Sequence, residues 1–380
     1  MDMYDYIITG TGASGLILAY RMINDSFFDD KRILLIDKEK KNSNDRTWCY
    51  WEKGEGEWDY MLSKSWGEVL FRGDLYSKCL SIGPYSYKMV RSSKLYENIL
   101  KELENQDHIT LVQDEILNIS DKSRSVSVLT KKSEYYGKRV LNSILFHHDF
   151  RQQIRYPVLK QHFLGWFIET KQDAFDDSTA TFMDFTVEQR GNTRFMYVLP
   201  VSKKVALFEY TLFSEKLLDN EEYEAEIELY LKKQGITEYK IIEKEQGIIP
   251  MTSFKFWKRN SKNILNIGTA GGWTKASTGY TFMNISKKTK DLIEFLKTER
   301  SLKEFQKKTR FWYYDLLLLD VLHKDNSIGA MIFGTLFKRN SVQSIFKFLD
   351  EKSSVMEDLR IIITMPQLRF LRALWGRLFS

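Results

Sequence analysis

Two hydrophobic rhythms alternate along this chain. "YDYIITGTGASGLILAYRM" opens on a short apolar run, Tyr4 to Thr9, and passes through three glycines into a helical pattern. A second apolar run, "RILLIDKE", ends on Asp37. Apolar runs separated by a helix predict neighbouring parallel strands of an α/β sheet. "KLYENILKELENQ" predicts a helix with Leu95, Ile99 and Leu103 on one face, and "SRSVSVLTKKSEYYGKRVLNSIL" predicts short strands with turns. Later the period changes to two. In "KVALFEYTLF" the alternation sets Val205, Leu207, Glu209, Thr211 and Phe213 on one strand face. Residues 151–244 predict an antiparallel sheet with a charged helix around "NEEYEAEIELYLKKQG", and from 301 onward the pattern is helical.

The glycines sharpen the first region. Gly10, Gly12 and Gly15 have G-x-G-x-x-G spacing between a strand and a helix, and Asp37 closes the next strand. In that context the glycines permit a tight turn, approach of a pyrophosphate, and close helix packing, while the acid receives a ribose hydroxyl. Asp37 fits that role, with Glu39 as the alternative. The motif alone does not separate NAD from FAD. Far down the chain, "NILNIGTAGGWTKASTGYTF" predicts a strand at Asn263–Ile267, a glycine loop, and a helix with Ser277 or Thr278 as N-cap. Rossmann flavoproteins have a second segment of this form, whose helix start faces the flavin; its dipole favours negative charge there. The expected fold is therefore α/β: a Rossmann-type FAD-binding domain from 1–150 and 245–300, an antiparallel-sheet substrate domain at 151–244, and a helical C-terminal part at 301–380.

Composition adds limits. Hydrophobic residues make up 43% and charged residues 28% of 380, the balance of a globular chain. No apolar run reaches the roughly 18 residues of a spanning helix, and no signal-peptide pattern precedes the first strand. Two cysteines, Cys49 and Cys79, offer no disulfide framework and fit a cytoplasmic setting. Five histidines lack zinc-ligand spacing, with His147-His148 read as a surface pair, so no metal is expected. A net charge of +6 excludes little. The ending "MPQLRFLRALWGRLFS" gathers Leu368, Leu371, Leu374, Trp375, Leu378 and Phe379 on one helical arc, with Arg369, Arg372 and Arg377 outside it and Pro366 at the start. Such a helix, 366–380, either lies in a membrane interface or packs on its own protein.

With these segments in hand, the chain resembles the lycopene β-cyclase family of flavoproteins over nearly its whole length. "DRTWCYW" (45–51), "QHFLGWFIE" (161–169), "MDF" (183–185), "YVLP" (197–200), "LFEYT" (207–211), "EQGIIPM" (245–251) and "GTAGGWTKASTGY" (268–280) follow in the family's order. Two departures are visible: Tyr210 stands where the family has a second acid, and Asn142-Ser143 where an Asp/Arg-type pair is commoner. The resemblance implies a redox-neutral closure of the linear ends of lycopene or γ-carotene into β-ionone rings. It implies FAD in its reduced form, NAD(P)H as the electron source, and a peripheral seat on the membrane that holds the carotenoid. No nucleic acid is expected as a partner.

Such a closure needs an acid able to protonate an alkene, a base nearby, electron-rich groups around the cation, and no water. Glu209 is the candidate acid, because a carboxyl among apolar neighbours tends to stay protonated. Asp184, between aromatics on a strand expected next to that of Glu209, is the second candidate: it either orients Glu209, shapes the tunnel, or is an edge-strand acid or turn contact. Aromatic faces stabilise cations by about 2 kcal/mol or more when desolvated. Trp48, Trp51, Trp166, Trp273 and Tyr280 are the aromatics expected near substrate or flavin. The expected cofactor-binding set is Gly10, Gly12, Ala13, Ser14, Gly15, Asp37, Lys38, Arg46, Gly268, Gly271, Lys275, Ser277, Thr278 and Gly279. Arg46 either bonds flavin oxygens or anchors its loop, and Lys275 either approaches the flavin or forms a salt bridge. Two rivals remain open: another flavin enzyme on the same scaffold (a monooxygenase, halogenase or prenyl-chain reductase), and a non-catalytic carotenoid carrier.

Overall fold

In a computed structural model, residues 3–122, 124–146, 149–306 and 308–378 are described; His147, His148 and Phe379 lie outside them. The chain divides into two units. One comprises Met1–Trp48, Val90–Gln153 and Ser253–Thr309; the other comprises Cys49–Met89, Ile154–Thr252 and Arg310–Ser380.

The first unit has the Rossmann-type core. The strands Ile109–Gln113, Ile33–Asp37, Met3–Thr9, Glu134–Asn142 and Ile264–Asn266 pair in that order, all parallel. Ile33, Leu34, Leu35 and Ile36 are all buried, as expected for a strand covered on both faces. Two antiparallel strands, Val126–Thr130 and Ile116–Asp121, extend the other half of Glu134–Asn142. The helix Ser92–Glu104 buries Leu95, Ile99 and Leu103, the three positions its periodicity selects. Asn142 is buried at the centre: its side chain bonds Thr9 Oγ1 at 2.8 Å and Asn266 Oδ1 at 2.8 Å, tying three parallel strands together.

The second unit is built on a seven-stranded sheet ordered Tyr239–Met251, Leu159–Thr170, Val205–Ser214, Thr193–Pro200, Thr179–Asp184, Glu68–Arg72 and Lys78–Ser81. One face carries the helix Asn220–Lys233, whose Tyr223, Ile227, Tyr230 and Leu231 pack with Phe208, Tyr210 and Leu212. The C-terminal helices Gly329–Arg339 and Val342–Leu349 bring Phe333, Phe337 and Phe346 against aromatics of the other face. The expected boundaries shift accordingly. Residues 49–89 group with this unit rather than with the Rossmann-type one, because Glu68–Arg72 pairs in parallel with Thr179–Asp184. Likewise 245–252 belongs here, as the end of the edge strand Tyr239–Met251. The C-terminal helices join this unit from Arg310 onward, while 301–309 stays with the first.

Candidate functional site

The two glycine segments leave the same edge of the parallel sheet, since each follows the C-terminal end of a strand parallel to Glu134–Asn142. That edge is where open α/β sheets hold their ligands. Each glycine of the first loop has its own task. Gly10 sits at φ +86°, and a Cβ there would come within 2.2 Å of Ser143 Oγ. A Cβ on Gly15 would come within 2.0 Å of Gly10 O, so this glycine lets helix and strand close. Gly12 is different: its missing Cβ points at open space, and it is the N-cap of the helix Ala13–Ile23 with no side-chain cap. No side chain caps the start of that helix or fills the space beside Gly12, the arrangement a phosphate requires. Ala13 and Ser14 are buried in its first turn.

The second segment packs on the first. Gly268, at φ +57°, approaches Ser14 so closely that a Cβ would lie 2.5 Å from its Oγ. Gly271 packs on Asn266 O. The chain then closes a tight turn in which Lys275 N donates to Tyr280 O at 3.0 Å and Gly279 N donates to Lys275 O at 2.8 Å, with Gly279 at φ +73°. This turn displaces the helix start. The helix runs Phe282–Leu296 with Thr281 as N-cap and no side-chain cap, so neither Ser277 nor Thr278 caps it. Thr278 Oγ1 is instead buried without a hydrogen-bond partner among the described residues. Ser277 and Lys275 are buried in the same turn.

Asp37 stands at the end of its strand and accepts from Thr11 N at 2.6 Å and from Glu39 N at 2.8 Å. Lys38 and Glu39 are exposed, and Glu39 pairs with Lys41. Arg46 has its backbone N–H bonded to Ser92 Oγ, while its guanidinium donates to Asp45 O at 2.6 Å. Trp48 stacks on Phe282, with ring centroids 5.5 Å apart, at the start of the second helix. Trp273 is buried beside Phe305.

In the second unit the acid face assembles across three strands. Glu209 is half-buried opposite Tyr197 on one side and Gly165 on the other. Beyond Gly165 the next strand places Glu245. A Cβ on Gly165 would meet Glu209 Cβ at 3.4 Å and Glu245 Cγ at 3.3 Å. The two acids therefore face each other over a bare stretch of backbone. Thr211 Oγ1 donates to Glu209 Oε1 at 2.7 Å. Burial, and then the charge of Glu245, push the Glu209 carboxyl well above the usual carboxylate range, to about 8. Tyr197 packs edge-on to Phe195 at 5.1 Å and to Phe182 at 6.2 Å, the beginning of an aromatic wall that continues to Phe333. Glu245 was missed as a candidate because only strand register brings it to Glu209; the sequence signal was Gly165 inside an otherwise bulky strand.

Two expectations change here. Asp184 is not on the strand next to Glu209, since Thr193–Pro200 lies between them. It pairs with Met196, which pairs with Tyr210, and so faces the helix Asn220–Lys233. There it is fully buried, accepting from Tyr230 OH at 2.7 Å and Thr186 Oγ1 at 2.6 Å, with Arg72 at 3.6 Å. Trp166 is on that same far face, packed with Phe208 and Tyr230 rather than with the acid. Trp51 stacks on Phe346 at 4.5 Å, as part of the aromatic packing around Phe182. Tyr280 is half-buried in the glycine turn.

The last helix, Gln367–Leu378, is seated by its polar side. Arg369 bonds Asp325 at 2.6 Å, and Arg377 bonds Asp320. Its arc of Leu368, Leu371, Leu374, Trp375 and Leu378 is exposed, Leu368 to 72%. The preceding helix, Val355–Thr364, adds exposed Met356 and Ile363. No helix among the described residues is long and apolar enough to cross a membrane.

Comparison with known proteins gives a consistent frame. Residues 5–375 match the family described as lycopene cyclase protein. A lycopene beta-cyclase of Pantoea ananas is 24% identical over 290 residues, covering 73% of this chain and 71% of that protein. A geranylgeranyl bacteriochlorophyll reductase-like protein from Thermoplasma acidophilum shares the fold with a TM-score of 0.59 at 12% identity, covering 98% of both chains. Halogenase PltM, solved with phloroglucinol and FAD, does so with a TM-score of 0.57 at 10% identity, covering 91% of this chain and 79% of that one. The fold is thus a Rossmann-type flavoprotein scaffold, and the chain belongs to the lycopene cyclase family.

Proposed function

We propose that the protein is a lycopene β-cyclase, an isomerase that closes the linear ends of lycopene or γ-carotene into β-ionone rings without net redox change. The observation that carries this reading is Glu209: a carboxyl raised toward its neutral form on a strand face shared with Val205, Leu207, Phe213 and one hydroxyl, that of Thr211. In the reaction the Glu209 O–H breaks as a C–H bond forms on the terminal alkene. The neighbouring double bond attacks the resulting cation. A C–H bond next to the new ring then breaks, and its proton returns to carboxylate. The aromatic wall leading from Tyr197 stabilises positive charge and excludes water.

The glycine edge of the first unit fits FAD: Gly12 leaves space for a pyrophosphate at an uncapped helix start, Asp37 stands where a ribose would bind, and Thr278 Oγ1 has a hydrogen bond to give. Bound and reduced by NAD(P)H, the flavin supplies an electron-rich ring. Glu209→Gln tests the reading. With lycopene liposomes and NADPH, kept anaerobic, the wild type should yield product of unchanged mass. The variant should lose about 10²–10⁴ of that rate, the scale of general-acid catalysis, while keeping flavin. A product heavier by two hydrogens would point to a reductase, as the fold of the Thermoplasma protein allows, and one heavier by oxygen to a monooxygenase. The outward leucine arc of the last helix suits a lipid interface in the cytoplasm-facing leaflet. Leu368→Glu with Trp375→Glu should abolish flotation with liposomes; unchanged flotation would remove the membrane part of the reading.

A further inference from the structure

We propose that Glu245 is the second carboxyl of the acid site, set against Glu209 across the missing side chain of Gly165 so that the pair holds one proton between them. The inference rests on the reading of Glu209 as the acid and adds the residue that keeps it charged with a proton. The geometry comes from register: Gly165 pairs with Glu209 on one side and with Glu245 on the other. Any side chain at 165 would fill the gap, since its Cβ would already touch both acids. Two carboxyls set side by side in this register can share a hydrogen bond only with a proton on one of them.

Other groups on this face do not replace that arrangement. Thr211 donates to Glu209 from the same strand, and Tyr197 faces it from the neighbouring one. Glu243, paired with Phe167, stands one step further along the strand of Glu245 and is an acid, not a cation that could neutralise the pair. Lys244 points the opposite way, over the Trp166 ring at 5.2 Å. The described residues place no cation among the groups acting on Glu209. Two like charges so close cannot both persist, so the pair stays singly protonated through neutral pH. Glu245 acts through Glu209: it is a positioning residue, and the pair ends each closure with the one proton it began with.

Isotope-edited infrared spectroscopy of the full-length protein reads this without substrate. A protonated carboxyl band should survive past neutral pH in the wild type and vanish in Glu209→Gln. In Glu245→Gln the band should titrate at least about one pH unit lower, because a carboxylate neighbour becomes an amide donor. Glu245→Asp should restore much of the original midpoint. Gly165→Ala, which wedges the pair apart, should move it in the same direction as Glu245→Gln and serves as the second variant. An unmoved band in Glu245→Gln overturns the inference and leaves Glu209 as a lone neutral acid. Absence of any band assignable to Glu209 at neutral pH overturns the reading of Glu209 itself.

Discussion

The two faces of the antiparallel sheet both carry acids, and they surround them in opposite ways. On the helix-covered face Asp184 receives hydroxyls from Tyr230 and Thr186 and has Arg72 nearby. His162, fully buried on the same face, is held between Tyr223 OH and Ser214 Oγ, the latter at 2.7 Å. On the aromatic face Glu209 receives one hydroxyl, from Thr211, and a second acid. A buried charge with matched partners is a structural element. An acid whose neighbour is another acid is pushed toward its protonated form. The contrast separates the two carboxyls by what surrounds each rather than by how deeply it sits.

The largest effect that can break this comparison is at Glu209, where Glu209→Gln should remove cyclisation and leave the urea midpoint almost unmoved. The pH dependence has a definite sign. On the proposed reading Glu209 works protonated; with its carboxyl raised to about 8, activity should be full at neutral pH and fall as pH rises through that value. The other face answers at the opposite end of the scale. Burial holds His162 neutral and lowers it from 6.5 to about 4. Between those values the unfolded chain binds the proton and the native one does not, so stability should fall by about 3 kcal/mol as pH drops through that window and level off below it. Urea titrations at stepped pH check this. His162→Gln should be less stable at pH 7 and should show a flatter acid slope; an equally steep slope would assign the loss to other groups.

How much of this was written in the chain depends on how far apart the cooperating residues lie. The first glycine loop, Asp37 and the parallel strands were legible because each is a local pattern within about thirty residues. The face of Glu209 followed from period two alone. The same parity also separates Trp166 from Glu209, because Trp166 adjoins Gly165, which pairs with Glu209, but that inference needs a register that no local pattern supplies. Glu245 needed the same register over a longer separation. The cap at Ser277 or Thr278 failed for another reason: the turn from Lys275 to Tyr280 uses those residues itself, and the helix starts only at Phe282. Tyr210, where the family pattern has an acid, faces the helix-covered side and accepts from Arg194 at 3.2 Å, so an acid at that position would not stand beside Glu209.

The smallest effect is also the most diagnostic, because it concerns the second acid that the sequence puts forward for the chemistry. Asp184→Asn keeps shape and removes charge. Hydrogen bonds to a charged group contribute about 1.5–3 kcal/mol each, and the amide can still accept from Thr186. The bond from Tyr230 and the attraction to Arg72 are what weaken, so the expected cost is about 2 kcal/mol, read as a lower urea midpoint with unchanged slope. Cyclisation per folded molecule, and its decline toward alkaline pH, should match the wild type, since Thr193–Pro200 stands between this acid and Glu209 and the two face opposite sides. A variant that folded normally and yet lost ring closure would place Asp184 in the chemistry and dissolve the distinction between the two faces.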